Sequence, residues 1–233
     1  MLANTIKTRG LHLGVRFAPS AVLDKQTRQQ FQQRMSQGFD WTRHEYGDGV
    51  WRLASPQSEG DPRSHLKLTL QPDTINFEDF FPVAPFDVFL DNTRLALETA
   101  ADILGWKIML GSGAVVRLTA EVDGNDARLF LGHRALGLER RLAPLGRPVH
   151  AVGLKLLLPP IPQQNELPWQ AEVKIESLVE DVRQLFIEVD AKWGTPVPWS
   201  ADEVIRRVRL ANDYTRNEVL KFLSQYEGDL PSN

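Results

Sequence analysis

Cysteine is absent from this 233-residue chain, and its absence excludes several classes of protein at once. Without thiols there is no disulfide framework, no thiolate zinc site, no iron–sulfur cluster and no cysteine nucleophile. Long apolar runs are missing too, since the stretch from Val152 to Leu158 is interrupted by Lys155 and is far shorter than the roughly 20 residues of a membrane helix. Residues 1–13 lack the apolar core of a secretory signal. We therefore expect a cytoplasmic protein with no membrane segment.

The common catalytic and metal-binding motifs are missing as well. The five histidines form none of the HxH, HxxxH or HExxH spacings that place two imidazoles on one metal ion. Neither the Walker A loop nor the GxSxG nucleophile elbow occurs, and Gly111-Ser112-Gly113 lacks the third glycine of a dinucleotide fingerprint. The sequence therefore predicts no catalytic residues, no metal site and no cofactor.

One pair of residues leaves an enzymatic alternative open. His44 is followed by Glu45 and flanked by Arg43 and Asp48, and a carboxylate that orients an imidazole is a common acid–base arrangement. A glycine-rich turn, however, collects polar side chains without any catalytic reason. We therefore treat this pair as the lesser interpretation.

The residues that are present are typical of a globular protein. Apolar residues make up 42% of the chain and charged residues 24%. The length suits one large domain or two fused halves that share a core. The net charge is -3, but residues 106–160 carry eight basic and four acidic side chains. This modest surplus could support weak contacts with phosphate groups.

Alternating apolar and polar residues predict strands, beginning with Leu11 to Phe17. Asp123-Gly124 predicts a hairpin turn between two of them. The further predicted strands are residues 50–54, 66–70, 74–77, 114–122, 127–131, 149–158, 169–178 and 184–192.

Apolar residues at intervals of three and four predict the helices. The first follows Ser20 and ends at Gly38, the second runs from Pro85 to Gly105, and a short one covers residues 138–145. The last begins with a capping box of Ser200 and Glu203 and ends near Tyr226.

This order of elements predicts an α+β fold in which helices pack on one face of a curved antiparallel sheet. A strand, a helix, a meander and a second helix occur twice, so the single module of residues 1–233 can be divided into halves 1–110 and 111–233. Each half would be ferredoxin-like or TATA-binding-protein-like. Residues 159–168 contain four prolines and are interpreted as a long loop.

The closing strand and helix, Gln184 to Trp193 and Thr195 to Leu223, are similar in hydrophobic pattern to those of an uncharacterised, sporadically distributed prokaryotic family of similar length. Phe77 to Gly105 resembles that family's central helix, and Leu11 to Phe17 its first strand. The resemblance implies this fold but no defined reaction and no catalytic residues. An extra hairpin at residues 114–131 and the proline-rich loop depart from it.

Arginines suggest one interaction surface. The last helix is predicted to carry Arg206, Arg207, Arg209 and Arg216 on its outer face, and the middle of the chain adds further arginines. Arginine clamps phosphates and carboxylates. The candidate nucleic-acid contacts are Arg134, Arg140, Arg141, Arg206 and Arg209.

Tryptophans suggest another surface, because exposed indoles often anchor protein interfaces. Trp193 and Trp199 flank a loop that contains Gly194, Pro196 and Pro198, and we expect both to be partly exposed there. The leading hypothesis is a non-enzymatic protein-interaction module, either a homodimer or a subunit of a bacterial assembly. The alternative is a nucleic-acid-binding protein.

Overall fold

The computed structural model contains one open, antiparallel sheet of ten strands with helices packed against it. The structure describes residues 3–47, 49–138, 141, 143–161 and 168–227. This architecture confirms the α+β class that the sequence pattern predicts. The strands are β1 (Lys7–Ala18), β2 (Arg43–Gly47), β3 (Val50–Ala54), β4 (His65–Gln71), β5 (Thr74–Phe80), β6 (Ile108–Glu121), β7 (Gly153–Leu158), β8 (Gln170–Ser177), β9 (Gln184–Trp193) and β10 (Val197–Pro198).

The two longest strands, β1 and β6, lie side by side at the centre of the sheet. From β1 the sheet continues through β5, β4 and β3 to β2 at one edge. From β6 it continues through β9 and β8 to β7 at the other edge, while β10 pairs with the start of β6. The sheet therefore consists of two series of strands, one on each side of the central pair β1 and β6.

The helices occur between these strands in the sequence and after the last of them. They are α1 (Lys25–Met35), α2 (Phe86–Leu104), α3 (Ala127–Leu129), α4 (Ala201–Asp213) and α5 (Leu220–Ser224). A π-helical segment, Phe130–Ala135, follows α3, and another, Tyr214–Val219, joins α4 to α5. None of the helices in the described part of the chain is both long and apolar enough to cross a membrane.

The core lies between the sheet and the helices. Leu11, Leu13 and Val15 of β1 are buried, whereas the residues between them are partly accessible. The same alternation continues across β5, β6, β8 and β9, because residues paired directly across an antiparallel ladder share a face. We call the face away from the helices the open face.

Local signals locate several elements well. The strand predicted at residues 50–54 coincides with β3, and the strands predicted at 66–70 and 184–192 lie within β4 and β9. Gly105 ends α2 with φ 67°, a conformation that glycine adopts at little cost. Ser200 Oγ accepts the amide N–H of Glu203 at 3.2 Å, so this half of the predicted capping box is present.

The strand predicted at residues 127–131 is wrong. Asp126 accepts the amide N–H groups of Arg128 and Leu129, which caps α3 and starts a helix directly after the turn. The spacing of Ala127, Phe130 and Leu131 then buries one face of the α3 and π-helical segment. The predicted hairpin and the extra hairpin relative to the resembled family are therefore absent.

Other boundaries also move. The first helix begins after Asp24, whose carboxylate accepts the N–H of Thr27, rather than after Ser20. It ends at Met35, and Gly38 is not in the left-handed region. Residues 138–145 contain one 3₁₀ turn, Ala143–Leu145, in their described part. Most of the proline-rich loop, residues 162–167, lies outside the described residues.

Candidate functional site

The open face carries paired charges along its whole width. Six lysine and arginine side chains of its described residues lie 2.5 to 3.7 Å from carboxylates of the same face. Nucleic-acid surfaces need a surplus of unpaired basic groups, which these pairs do not supply. The pairs are Arg52 with Glu45, Lys67 with Glu78, Arg117 with Glu188, Lys155 with Glu172, Lys174 with Glu176 and Lys192 with Asp190.

The centre of the open face contains a polar chain that crosses four strands. His12 of β1 lies between Glu78 of β5, at 3.1 Å, and Arg117 of β6, at 3.1 Å, and Arg117 also donates to Glu188 of β9. A guanidinium can only donate, so His12 Nε2 accepts and the ring proton on Nδ1 is donated to Glu78. This hydrogen bond is the main reason why the pKa of Glu78 lies below its ordinary value.

The polar chain is an ordered hydrogen-bonded network. Both ring nitrogens of His12 are already engaged, and a general base needs one nitrogen directed at a substrate. Its imidazole also packs against the edge of Phe80, which stacks on His65. Among the described residues, no group of three or more histidine or acidic side chains is arranged to hold a metal ion.

The β7 edge is the second distinctive surface. β7 ends the sheet, and no described strand pairs with its outer side. Its sequence, GLKLLL, is apolar for an edge strand, and Leu157 is 68% exposed on the open face. Leu154, Leu156 and Leu158 point to the core side but remain only half-buried. Exposed apolar edges pair readily with strands of other chains.

The tryptophan loop differs from its prediction. Trp193 is only 2% exposed, because it lies at the end of β9 under Arg207 of α4 and stacks on Trp169. The prediction that Trp193 is partly exposed is therefore wrong. Trp199 is half-buried and packs edge-on against Trp106 at 4.7 Å between ring centres. Only Trp199 keeps accessible surface, and its role in a contact site stays a prediction.

The predicted arginine surface is distributed over several environments. Arg206 pairs with Glu203 within α4, and Arg209 pairs with Asp87 of α2; both are ion pairs at the surface. Arg134 has a buried Nη1 atom without a partner among the described residues, whereas Arg141 is exposed. Arg140 lies outside the described residues. Nucleic-acid binding through these arginines therefore stays a prediction.

Arg207 is not on the outer face of the last helix, contrary to the sequence prediction. Its side chain is fully buried between α4 and the sheet, where Nε donates to Glu203 at 2.8 Å and Nη1 donates to Ser112 Oγ at 2.8 Å. Burial lowers the pKa of Arg207, and Glu203 opposes this effect. Arg207 therefore connects α4 to β6 and belongs to the buried core.

His44 and Glu45 do not form the acid–base pair considered from the sequence. They are consecutive residues of β2, so their side chains point to opposite faces. His44 bonds with the Trp41 carbonyl oxygen and the Tyr46 hydroxyl, whereas Glu45 lies 3.7 Å from Arg52. Asp48 lies outside the described residues. The sequence does not predict a strand at β2, because this segment is short and polar and lacks the alternation of apolar and polar residues.

Comparison with known proteins adds no functional assignment. No protein-family model matches the chain, and no curated protein is a significant match to it. The resemblance noted in the closing strand and helix therefore stays a prediction.

Proposed function

We propose that this chain is a non-enzymatic protein-interaction module that self-associates through the β7 edge. The observation that carries this proposal is the outer side of β7, which pairs with no strand of the described residues, together with its half-buried leucines. A sheet edge offers backbone N–H and C=O groups to an incoming strand, which is a common mode of protein recognition. The paired charges of the open face favour a protein partner over a polyanion.

A tandem repeat in the fold supports the choice of this edge. We propose that the chain consists of two TATA-binding-protein-like halves, divided before β6 rather than at residues 110 and 111 inside it. In the first half the order from the centre is β1, β5, β4, β3, β2, and in the second it is β6, β9, β8, β7. Counting the described strands, the second half has one strand fewer at its edge.

The missing strand has a visible effect on burial. In the first half, Trp51 and Leu53 of β3 are buried, and β2 lies beside them. In the second half, no strand in the described part of the chain lies on the outer side of Leu154 and Leu156 of β7, and both stay half-buried. An added strand would cover them in the same way.

A second copy of the chain supplies a matching strand. Antiparallel pairing of β7 with β7 of a second copy, centred on Leu156, would place Leu154 opposite Leu158 on the core side. On the open face it would place Leu157 opposite Lys155 of the second copy. The leucines would then form a continuous apolar layer across the two sheets.

The experiment is sedimentation velocity of the wild-type chain and of Leu157→Lys. We expect a dimer for the wild type. In the variant, lysines would face each other at two symmetric positions and two leucines would lose apolar contact, which together weaken the dimer by about 30-fold or more. Leu157 is 68% exposed, so the monomer should remain folded.

Val179→Lys is the matched control, because Val179 is 66% exposed but lies in the loop between β8 and β9. This variant should dimerise like the wild type. A wild-type chain that is monomeric at high concentration and binds no protein would refute the module. If the wild type is a dimer and the two lysine variants dimerise equally well, the β7 interface is refuted but the interaction module is not. Tight binding of a polyanion that weakens steeply with salt would favour the nucleic-acid alternative.

A further inference from the structure

A cavity of about 410 Å³ lies at the end of the sheet where β1 begins and the chain passes from β5 to α2. We propose that this cavity binds a small organic oxyanion, a phosphate or carboxylate attached to an apolar group. This site lies apart from the β7 edge and is independent of self-association.

Three cations converge on the cavity from distant parts of the chain. Lys7 and Arg9 come from β1, and Arg216 comes from the π-helical segment after α4. Asp61 is the only acidic residue among the described residues that line it. Both carboxylate oxygens of Asp61 already accept hydrogen bonds from Arg63, at 3.0 and 2.8 Å. The cationic charge is therefore in excess.

The two guanidinium groups are held in place by neutral oxygen atoms. Arg9 donates to Thr119 Oγ1 at 2.9 Å and to Gln184 Oε1 at 3.4 Å. Arg216 donates to Thr8 Oγ1 at 2.9 Å and to Asn212 Oδ1 at 3.2 Å. These bonds fix the positions of the groups without neutralising them. A positioned, uncompensated guanidinium is suited to bind a phosphate or carboxylate.

Like charges crowd each other beside the cavity. Arg63 lies over one aromatic ring, Phe81, at 4.2 Å from its centre, and Arg9 lies 5.9 Å from the same centre. Burial, and next the charge of Arg63, lower the pKa of Arg9. Asp61 opposes these effects only in part, and a bound anion would add further negative charge beside Arg9.

The other wall of the cavity is apolar. It is formed by Phe81, Phe86 and the segment Pro82 to Pro85, in which Val83 is 63% exposed. Water-exposed apolar side chains beside a cationic pocket favour a ligand that has both characters. A bare inorganic anion would use only the cationic wall, so an aromatic or aliphatic group attached to the anion should increase its affinity.

The test is isothermal titration calorimetry of the full chain with phenyl phosphate, benzoate, inorganic phosphate and benzyl alcohol. We expect phenyl phosphate or benzoate to bind more tightly than inorganic phosphate, and benzyl alcohol not to bind. Comparing the first two ligands distinguishes phosphate from carboxylate recognition. Higher salt should weaken binding, because the attraction is largely ionic.

Arg216→Gln should reduce the affinity about tenfold or more, since it removes one charged donor. Val83→Glu places a negative charge at the mouth of the cavity and should reduce it similarly without disturbing the fold. Val22→Glu is the matched control, because Val22 is 74% exposed and belongs to the loop between β1 and α1. It should bind like the wild type.

The proposal is overturned if none of the oxyanions binds at millimolar concentration. It is also overturned if Val83→Glu and Val22→Glu bind equally well, or if folded Arg216→Gln keeps the wild-type affinity. Leu157→Lys should leave phenyl phosphate or benzoate binding unchanged. The oxyanion site and the β7 interface can therefore fail separately.

Discussion

Arg207 allows a stringent test of how the helix layer is attached to the sheet. Its guanidinium is fully buried, with Glu203 and Ser112 each 2.8 Å from one of its nitrogen atoms. Its Nη2 atom is buried without a partner among the described residues. Burying a charge costs several kcal/mol, and a single carboxylate with one hydroxyl only partly offsets that cost.

Two substitutions should therefore have unequal effects on stability. Glu203→Gln leaves the guanidinium buried without a counter-charge and should lower the free energy of unfolding by about 3 kcal/mol. Arg207→Met combined with Ser112→Ala removes the charge and the hydroxyl together and fills the space beside Trp193 with an apolar chain. That variant should lie within about 1 kcal/mol of the wild type.

The assay is urea unfolding followed by circular dichroism at neutral pH, with the slope of free energy against urea compared between variants. Arg206→Gln is the control for Glu203→Gln, because it removes the outer, exposed ion pair with Glu203 and leaves the buried pair of Glu203 with Arg207 in place. It should cost about 0.5 kcal/mol or less. If the Arg207→Met and Ser112→Ala variant is less stable than Glu203→Gln, the buried ion pair is a net source of stability and the reasoning is refuted.

Two further predictions concern titration and tautomer. Burial raises the pKa of Asp79 to about 7, from an ordinary value of 3.8, so between pH 4 and 7 the native state holds a proton that the unfolded state has lost. The free energy of unfolding should thus fall by at most about 4 kcal/mol as pH rises through this window, and Asp79→Asn should remove this fall. If the free energy of unfolding depends on pH in the same way in the wild type and in Asp79→Asn, the prediction is wrong. The neutral imidazole of His12 should carry its proton on Nδ1, because Arg117 donates to Nε2 and Glu78 accepts from Nδ1. The ¹⁵N chemical shifts of the imidazole report the tautomer, and a proton found on Nε2 would show that the Arg117 contact does not form.

Local sequence patterns predict most of the secondary structure and the inward side of most strands. Leu11, Leu13 and Val15 are buried because alternation along a strand is a local property that requires no knowledge of its neighbours. The same holds for the start of α4 at Ser200, where the cap is three residues from its amide partner. Signals of this kind act over a few residues and can be read directly.

The interior of the last helix shows where local reasoning stops. The helical spacing placed Arg207 outside, yet α4 packs against both α2 and the sheet, so more than one side of it is covered. The glycine and prolines after Trp193 predict a partly exposed side chain beside a loop, although Trp193 is the last residue of β9 and is buried. In both cases the burial depends on which element lies above, and that is a property of the tertiary structure.

The positions of the proposed interaction surfaces depend on the tertiary structure. Alternation alone places His12, Glu78, Arg117 and Glu188 on outer positions of their strands, but their adjacency follows from the order β5, β1, β6, β9. The exposed edge at β7 and the cations around Arg216 likewise depend on which strands and helices meet. Such pairings join residues up to about 200 positions apart and are selected by burial of the whole core, so no short segment encodes them.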